Sequence, residues 1–220
     1  GNQPLSTNRT GERRVNSSQF RIDYSLKSVG PSGVRSVNLY ITENGGQTWF
    51  HYDADPDRRS PIDVSVPHDG VYGFAFRVES GAGLVATPPQ PGDAPELTIV
   101  VDQVAPTTEL LPLQHSGAAD QIAIRWVAQD LDLHELPVSL YYSSGPAGPW
   151  TLIAGNLANT GRYDWRLPRL DASERLYVRI EVRDQAGNIG RSDAPRPLIL
   201  DFSQPGVEVL NIEPLLSIGR

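Results

Sequence analysis

Apolar residues in this chain come in short runs divided by Gly, Pro, Asn and Asp. They lie at 20–26, 34–42, 47–53, 62–66, 71–79 and 96–102, then at 107–113, 121–129, 138–143, 150–154, 161–166, 175–183 and 197–202. The alternation is sharpest in two of them. Tyr72, Phe74, Phe76 and Val78 fall on one side of 71–79, with Arg77 and Glu79 opposite. Leu176, Val178, Ile180 and Val182 fall on one side of 175–183, with Arg179, Glu181 and Arg183 opposite. Successive side chains of a strand point to opposite faces. The pattern therefore predicts strands with one apolar and one charged face, as in an antiparallel sheet wetted on one side. No window sustains the roughly 3.6-residue apolar period of a helix, so helix content should be very low.

The runs repeat. Phe20–Leu26 matches Ile122–Ala128 at an offset of 102, and Leu39, Tyr40 and Trp49 match Leu140, Tyr141 and Trp150 at 101. Ala82-Gly83 matches Ala186-Gly187 at 104, and Asp102 and Pro106 match Asp201 and Pro205 at 99. A period of this length is a duplicated domain, too long for a solenoid unit. Six or seven short strands in about 100 residues, with turns between them, mark a sandwich. The expected architecture is all-β: two tandem antiparallel β-sandwiches at 20–102 and 107–204, joined by a short Pro-terminated hinge at 103–106. Residues 1–19 are polar and read as a loose or partly docked leader. Residues 205–220 read either as an added edge strand or as the start of a further module.

Composition removes several function classes. The net charge is −7, unsuited to nucleic acid or an anionic membrane. The apolar stretches, such as 84–86 and 99–101, are far too short to span a bilayer as helices. Cysteine is absent, which excludes disulfides, thiolate metal sites and a thiol nucleophile. Methionine is absent too, even at position 1, so the chain is expected to be a piece of a longer protein, with any signal peptide or anchor outside it. No His-x-x-x-His pair and no Gly-x-Ser-x-Gly elbow occurs. Gly81–Ala86 imitates a dinucleotide loop but lacks the helix that would hold a pyrophosphate. No enzymatic activity is expected.

Three stretches carry a resemblance. Tyr40–Trp49 forms a Gly-Gly hairpin, echoed by Tyr141–Trp150. Asp69-Gly70-Val71-Tyr72-Gly73-Phe74 looks like the tyrosine corner of an immunoglobulin domain, with Leu176 inward and Tyr177 outward at the second copy's equivalent. Asp184-Gln185-Ala186-Gly187-Asn188 is similar to the Asp-x-Ala-Gly-Asn turn late in such repeats. Over residues 20–202 the chain thus resembles immunoglobulin-like or fibronectin type III-like repeats of large exported bacterial proteins. The resemblance implies an extracytoplasmic location and a spacer or adhesion-type role, with a protein or polysaccharide partner at the cell surface.

Four groups of residues are candidates for chemistry. Thr42–Trp49 resembles the Asp-box hairpin of sialidase-type propellers; its physical reading is a structural turn, with Asn44 bonding its own loop. Asp53, Asp55 and Asp57 alternate, as a calcium loop would, although Arg58 and Arg59 can neutralise a solvated loop equally well. Asp130, Asp132 and Asp184 belong to loops that a sandwich brings to one end, where they converge on a cation helped by Asn188, or else cap turns. Phe50 and Tyr52 share a strand face and offer a platform for a sugar, or pack under a loop. The alternative function is accordingly a carbohydrate-binding accessory module. A hydrolase would require a deep pocket with convergent polar groups.

Overall fold

The computed structural model describes residues 12–27, 29–116, 120–167 and 175–199, with Glu208. Among these residues there are sixteen strands and no helix. Residues 1–11, most of the 205–220 tail and the end of the 197–202 run lie outside the described residues.

The first unit comprises β1 (Glu12–Val15), β2 (Gln19–Ile22), β3 (Val34–Thr42), β4 (Phe50–Ala54), β5 (Ile62–Ser65), β6 (Gly70–Ser80) and β7 (Leu97–Val101). One sheet runs β1-β7-β6-β3-β4 and the other pairs β2 with β5. Ile22, Ile62 and Val64 from the small sheet meet Leu39, Tyr72, Phe74, Ile99 and Val101 from the large one in a shared core. Glu12–Val15, within the stretch read from the sequence as a loose or partly docked leader, forms an edge strand parallel to β7, with Val15 opposite Val101 and packed on that core. Four residues with only one apolar core contact carry too short a pattern to be recognised without the strand they pair with.

The second unit comprises β8 (Thr107–Leu110), β9 (Gln114–His115), β10 (Gln121–Gln129), β11 (Leu133–Ser143), β12 (Thr151–Leu157), β13 (Arg162–Arg166), β14 (Arg175–Asp184), β15 (Ile189–Asp193) and β16 (Leu198–Ile199). One sheet runs β13-β10-β8, with β9 also on β10; the other runs β12-β11-β14-β15, with β16 also on β14. Its core joins Ile122, Ile124, Trp126 and Trp165 to Val138, Leu140, Leu176 and Ile180. The alternation expected along 175–183 is met, with Leu176, Val178, Ile180 and Val182 all at 1% exposure or less.

The first unit departs from its pattern at β6, where Gly73 and Ala75 are buried along with Tyr72 and Phe74. The expected wet face is covered by the segment before β7. Glu96 accepts from the Phe76 amide and pairs with Arg77, and an added Cβ at Gly73 would stand 2.5 Å from Pro95.

Candidate functional site

The resemblance-based corner is present in the first unit. Tyr72 is fully buried and its hydroxyl donates to the His68 carbonyl at 2.8 Å. In the second unit Leu176 is buried and Tyr177 half-buried, as the sequence indicates. The Thr42–Trp49 hairpin is a self-contained turn. Thr42 Oγ1 accepts from the Gly46 amide at 3.0 Å, and Asn44 Oδ1 accepts from the Thr48 amide at 2.9 Å.

Asp53, Asp55 and Asp57 do not assemble into a common site. Asp55 is 5% exposed and caps its own turn, accepting from the amides of Asp57 and Arg58 and from the Tyr24 hydroxyl. Burial pushes its carboxyl upward, but the bonds from Tyr24, Asp57 and Arg58 outweigh this and hold it below the usual carboxylate range. Asp53 accepts from the Ala54 amide and Asp57 from the Arg59 amide, so each carboxylate serves a different donor.

Phe50 and Tyr52 also part company. Leu39 pairs with Asp53 and Tyr40 with His51, leaving Tyr52 as the extra residue of a bulge. The bulge ends the two-residue alternation from which a shared face was inferred. Phe50 stands 62% exposed, while Tyr52 packs on the core and its hydroxyl exchanges hydrogen bonds with the Ser65 backbone.

The aspartates of the second group meet at the end of the second unit that faces the first. Asp130 follows β10, Asp184 ends β14, and Asp102 closes the first unit just before the 103–106 segment; their carboxylate oxygens lie within 4.8 Å of one another. Asp132 points elsewhere. It accepts from Arg14 on β1 and forms an ion pair that spans the two units. Asp102 and Arg14 are the participants that sequence reading missed. Asp102 already stood out as a repeat landmark, and nothing local marks Arg14.

Asp184 is 1% exposed and organises its turn. Oδ1 accepts from the Gly187 amide at 2.6 Å and the Asn188 amide at 2.8 Å, and Oδ2 accepts from Asn188 Nδ2 at 2.7 Å. Burial raises its carboxyl above the ordinary value, and the nearby Asp102 adds to this, against the pull of the Asn188 and Gly187 bonds. The same Asn188 amide reaches across the junction, donating to the carbonyls of Asp102 at 2.8 Å and Val104 at 3.3 Å.

Every end of the short connection is therefore tied. Gln103 donates through its backbone and side chain to Asp69 of the first unit, at 3.0 and 2.7 Å, which lowers the Asp69 carboxyl below its usual range. Val104 N donates to Asp102 Oδ1. Pro106 lies so close to Gly190 of the second unit that an added Cβ would stand 2.0 Å from the Pro106 carbonyl oxygen.

A cleft of about 360 Å³ lies along β11 and β14 and includes His134, Ser139, Tyr141, Glu181 and Arg183. His134 Nδ1 accepts from the amide of Leu136 in its own strand, and among the described residues no hydrogen bond joins it to Ser139.

No family model matches the chain, and no curated protein matches it. Solved structures do. Fibronectin(III)-like modules of Clostridium thermocellum CbhA align over 94% of this chain and 97% of theirs, with a TM-score of 0.51 and 12% identity. The FN1–FN3 domains of chicken CNTN1 align over 87% of this chain and 62% of theirs, with a TM-score of 0.50 and 12% identity. Part of a 1.5-MDa bacterial ice-binding adhesin aligns over 83% of this chain and 58% of its own, at 0.39 and 15%. At such identities the likeness speaks to fold. With the repeated sandwiches, the tyrosine corner and the Asp-x-Ala-Gly-Asn turn, the chain has the fold of tandem fibronectin type III-like modules.

Proposed function

We propose that this chain is a non-catalytic spacer and interaction unit of a larger exported bacterial protein, holding two sandwiches at a set angle at the cell surface. The observation that supports it most is the junction. A four-residue connection whose backbone and side chains are bonded to both units transmits orientation, as a free tether does not. The absence of cysteine makes the test direct. Spin labels on single cysteines introduced at the exposed positions Glu43 and Ala147 should give one narrow distance distribution, broadened by Asn188→Ala. A broad distribution in the parent pair contradicts the proposal.

The convergence of Asp102, Asp130 and Asp184 supports a second reading, in which a hard divalent cation such as calcium stiffens this junction. Oxygen-rich clusters suit such ions, and a cation would offset the unfavourable charge on the buried Asp184. A thermal melt with calcium and then with chelator tests it. An upward shift that Asp102→Asn abolishes supports the reading, and identical melts dismiss it.

A further inference from the structure

The two units place their first strands on different sheets, and the consequence is an open edge. In the second unit β10 is paired on both sides, so that Ile122 faces Trp165 of β13 on one side and His115 of β9 on the other. The rest of that second side is taken by β8, with Trp126 opposite Leu110. Its counterpart in the first unit, β2, pairs only with β5 among the described residues. The residues equivalent to β9 are those of β1, which lies on the other sheet against β7. Between β1 and β2 runs a cleft of about 300 Å³, lined by Val15, Phe20, Tyr24, Phe76 and Leu97, with the charged residues Arg13, Arg21, Asp23 and Glu96 also at its walls. No residue of β5 lines it, so it follows the side of β2 that has no partner strand among the described residues.

The chain itself contains a strand written for such an edge. Thr108, Leu110, Leu111 and Leu113, around β8, correspond at the offset of 99 to Val207, Val209, Leu210 and Ile212; Glu109 corresponds to Glu208 and Pro106 to Pro205. Residues 205–213 thus repeat the apolar and polar order of the strand that covers β10. The N-terminal residues at the equivalent place before β1 do not: Asn8, Arg9 and Gly11 stand where β8 and its extension have Leu110, Leu111 and Leu113.

We infer that β2 is an acceptor edge, and that residues 205–213 of a second copy of this chain add to it as β8 adds to β10. Backbone groups of β2 supply the ladder, the cleft takes Val207 and Val209, and Glu208 lies on the outer face as Glu109 does in β8. Donor and acceptor are different surfaces, so each molecule can give its tail to one neighbour and receive the tail of another, and unless the exchange is reciprocal the contact extends head-to-tail. The inference rests on the tandem-sandwich reading but not on the rigidity of the junction.

Sedimentation velocity on the full chain across a wide concentration range tests it. The expected result is progressive association, weakened at least about tenfold by Val207→Lys with Val209→Lys and lost when the chain ends at Gln204. A peptide of residues 205–213, added to that shortened chain, should slow amide exchange at Gln19 and Arg21, whose amides point away from β5. Near-UV circular dichroism of the shortened chain reports whether both sandwiches persist, separating a failure of the fold from a failure of docking. A monomer at every concentration overturns the inference, as does association that survives truncation or a peptide that protects another strand. Peptide binding that requires removal of residues 1–11 also overturns it, because the chain's own N-terminal segment then fills the edge.

Discussion

Substituting Tyr72 by Phe tests the packing logic of the first sandwich with one atom. The ring is fully buried and Phe fills the same space, so almost no cavity is created. What disappears is the hydroxyl that donates to the His68 carbonyl at 2.8 Å and touches His68 Nδ1 at 3.0 Å. The carbonyl belongs to an exposed residue and water can replace the lost partner, so the exchange removes one part-buried hydrogen bond, about 0.5–1.5 kcal/mol. For a sandwich of this size a loss of about 1 kcal/mol lowers the melting temperature by roughly 4–8 °C. Differential scanning calorimetry, with Trp49 fluorescence as the reporter for the first unit, should show that shift. Tyr177→Phe is the internal control. Its ring is half-buried at a place where the buried role falls to Leu176, and its effect should stay within about 0.5 kcal/mol. Equal losses for the two variants, or a Tyr72→Phe loss below about 0.5 kcal/mol, would refute the argument that the corner bond locks this sandwich.

Two further outcomes follow from the junction. Burial holds the Asp184 carboxyl above its ordinary value, so the folded protein keeps a proton there at a pH where the unfolded chain has released it. Stability from this group therefore falls as pH rises from the ordinary carboxylate range through the folded pKa, and urea titrations of Asp184→Asn across that range should show a flatter profile. Gly190→Ala would set a Cβ 2.0 Å from the Pro106 carbonyl oxygen, which must shift because it is backbone. The expected cost is about 1–3 kcal/mol together with a displaced spin-label distance between the units; an unmoved distance with unchanged stability counts against the tight junction.

The parts of the fold that could be read along the chain are those governed by local periodicity. Leu176, Val178, Ile180 and Val182 needed only their spacing to be placed in a core, because a strand's alternation is a property of its own backbone. The alternation misled where partners intervened. Pro95 and Glu96 covered the second face of β6, and a bulge at Tyr52 separated it from Phe50. Of the candidate aspartates, Asp130 and Asp184 came together because both end strands at one pole of the sandwich. Asp132 left the group because Arg14, 118 residues earlier, offered it an ion pair.

The sequence by itself determined that the chain is all-β, that it is one design written twice, and where the core face of a regular strand such as β14 lies, since turn residues and two-residue periods act over a few positions. Only the tertiary structure decided that β1 leaves β2 for the opposite sheet, that Asp102 joins two aspartates of the second unit, and that Asn188 ties the connection down. The first outcome depends on pairing between β1 and a strand more than eighty positions on in the same sandwich, and the other two on how two finished sandwiches meet, neither of which is set by any pattern along the chain.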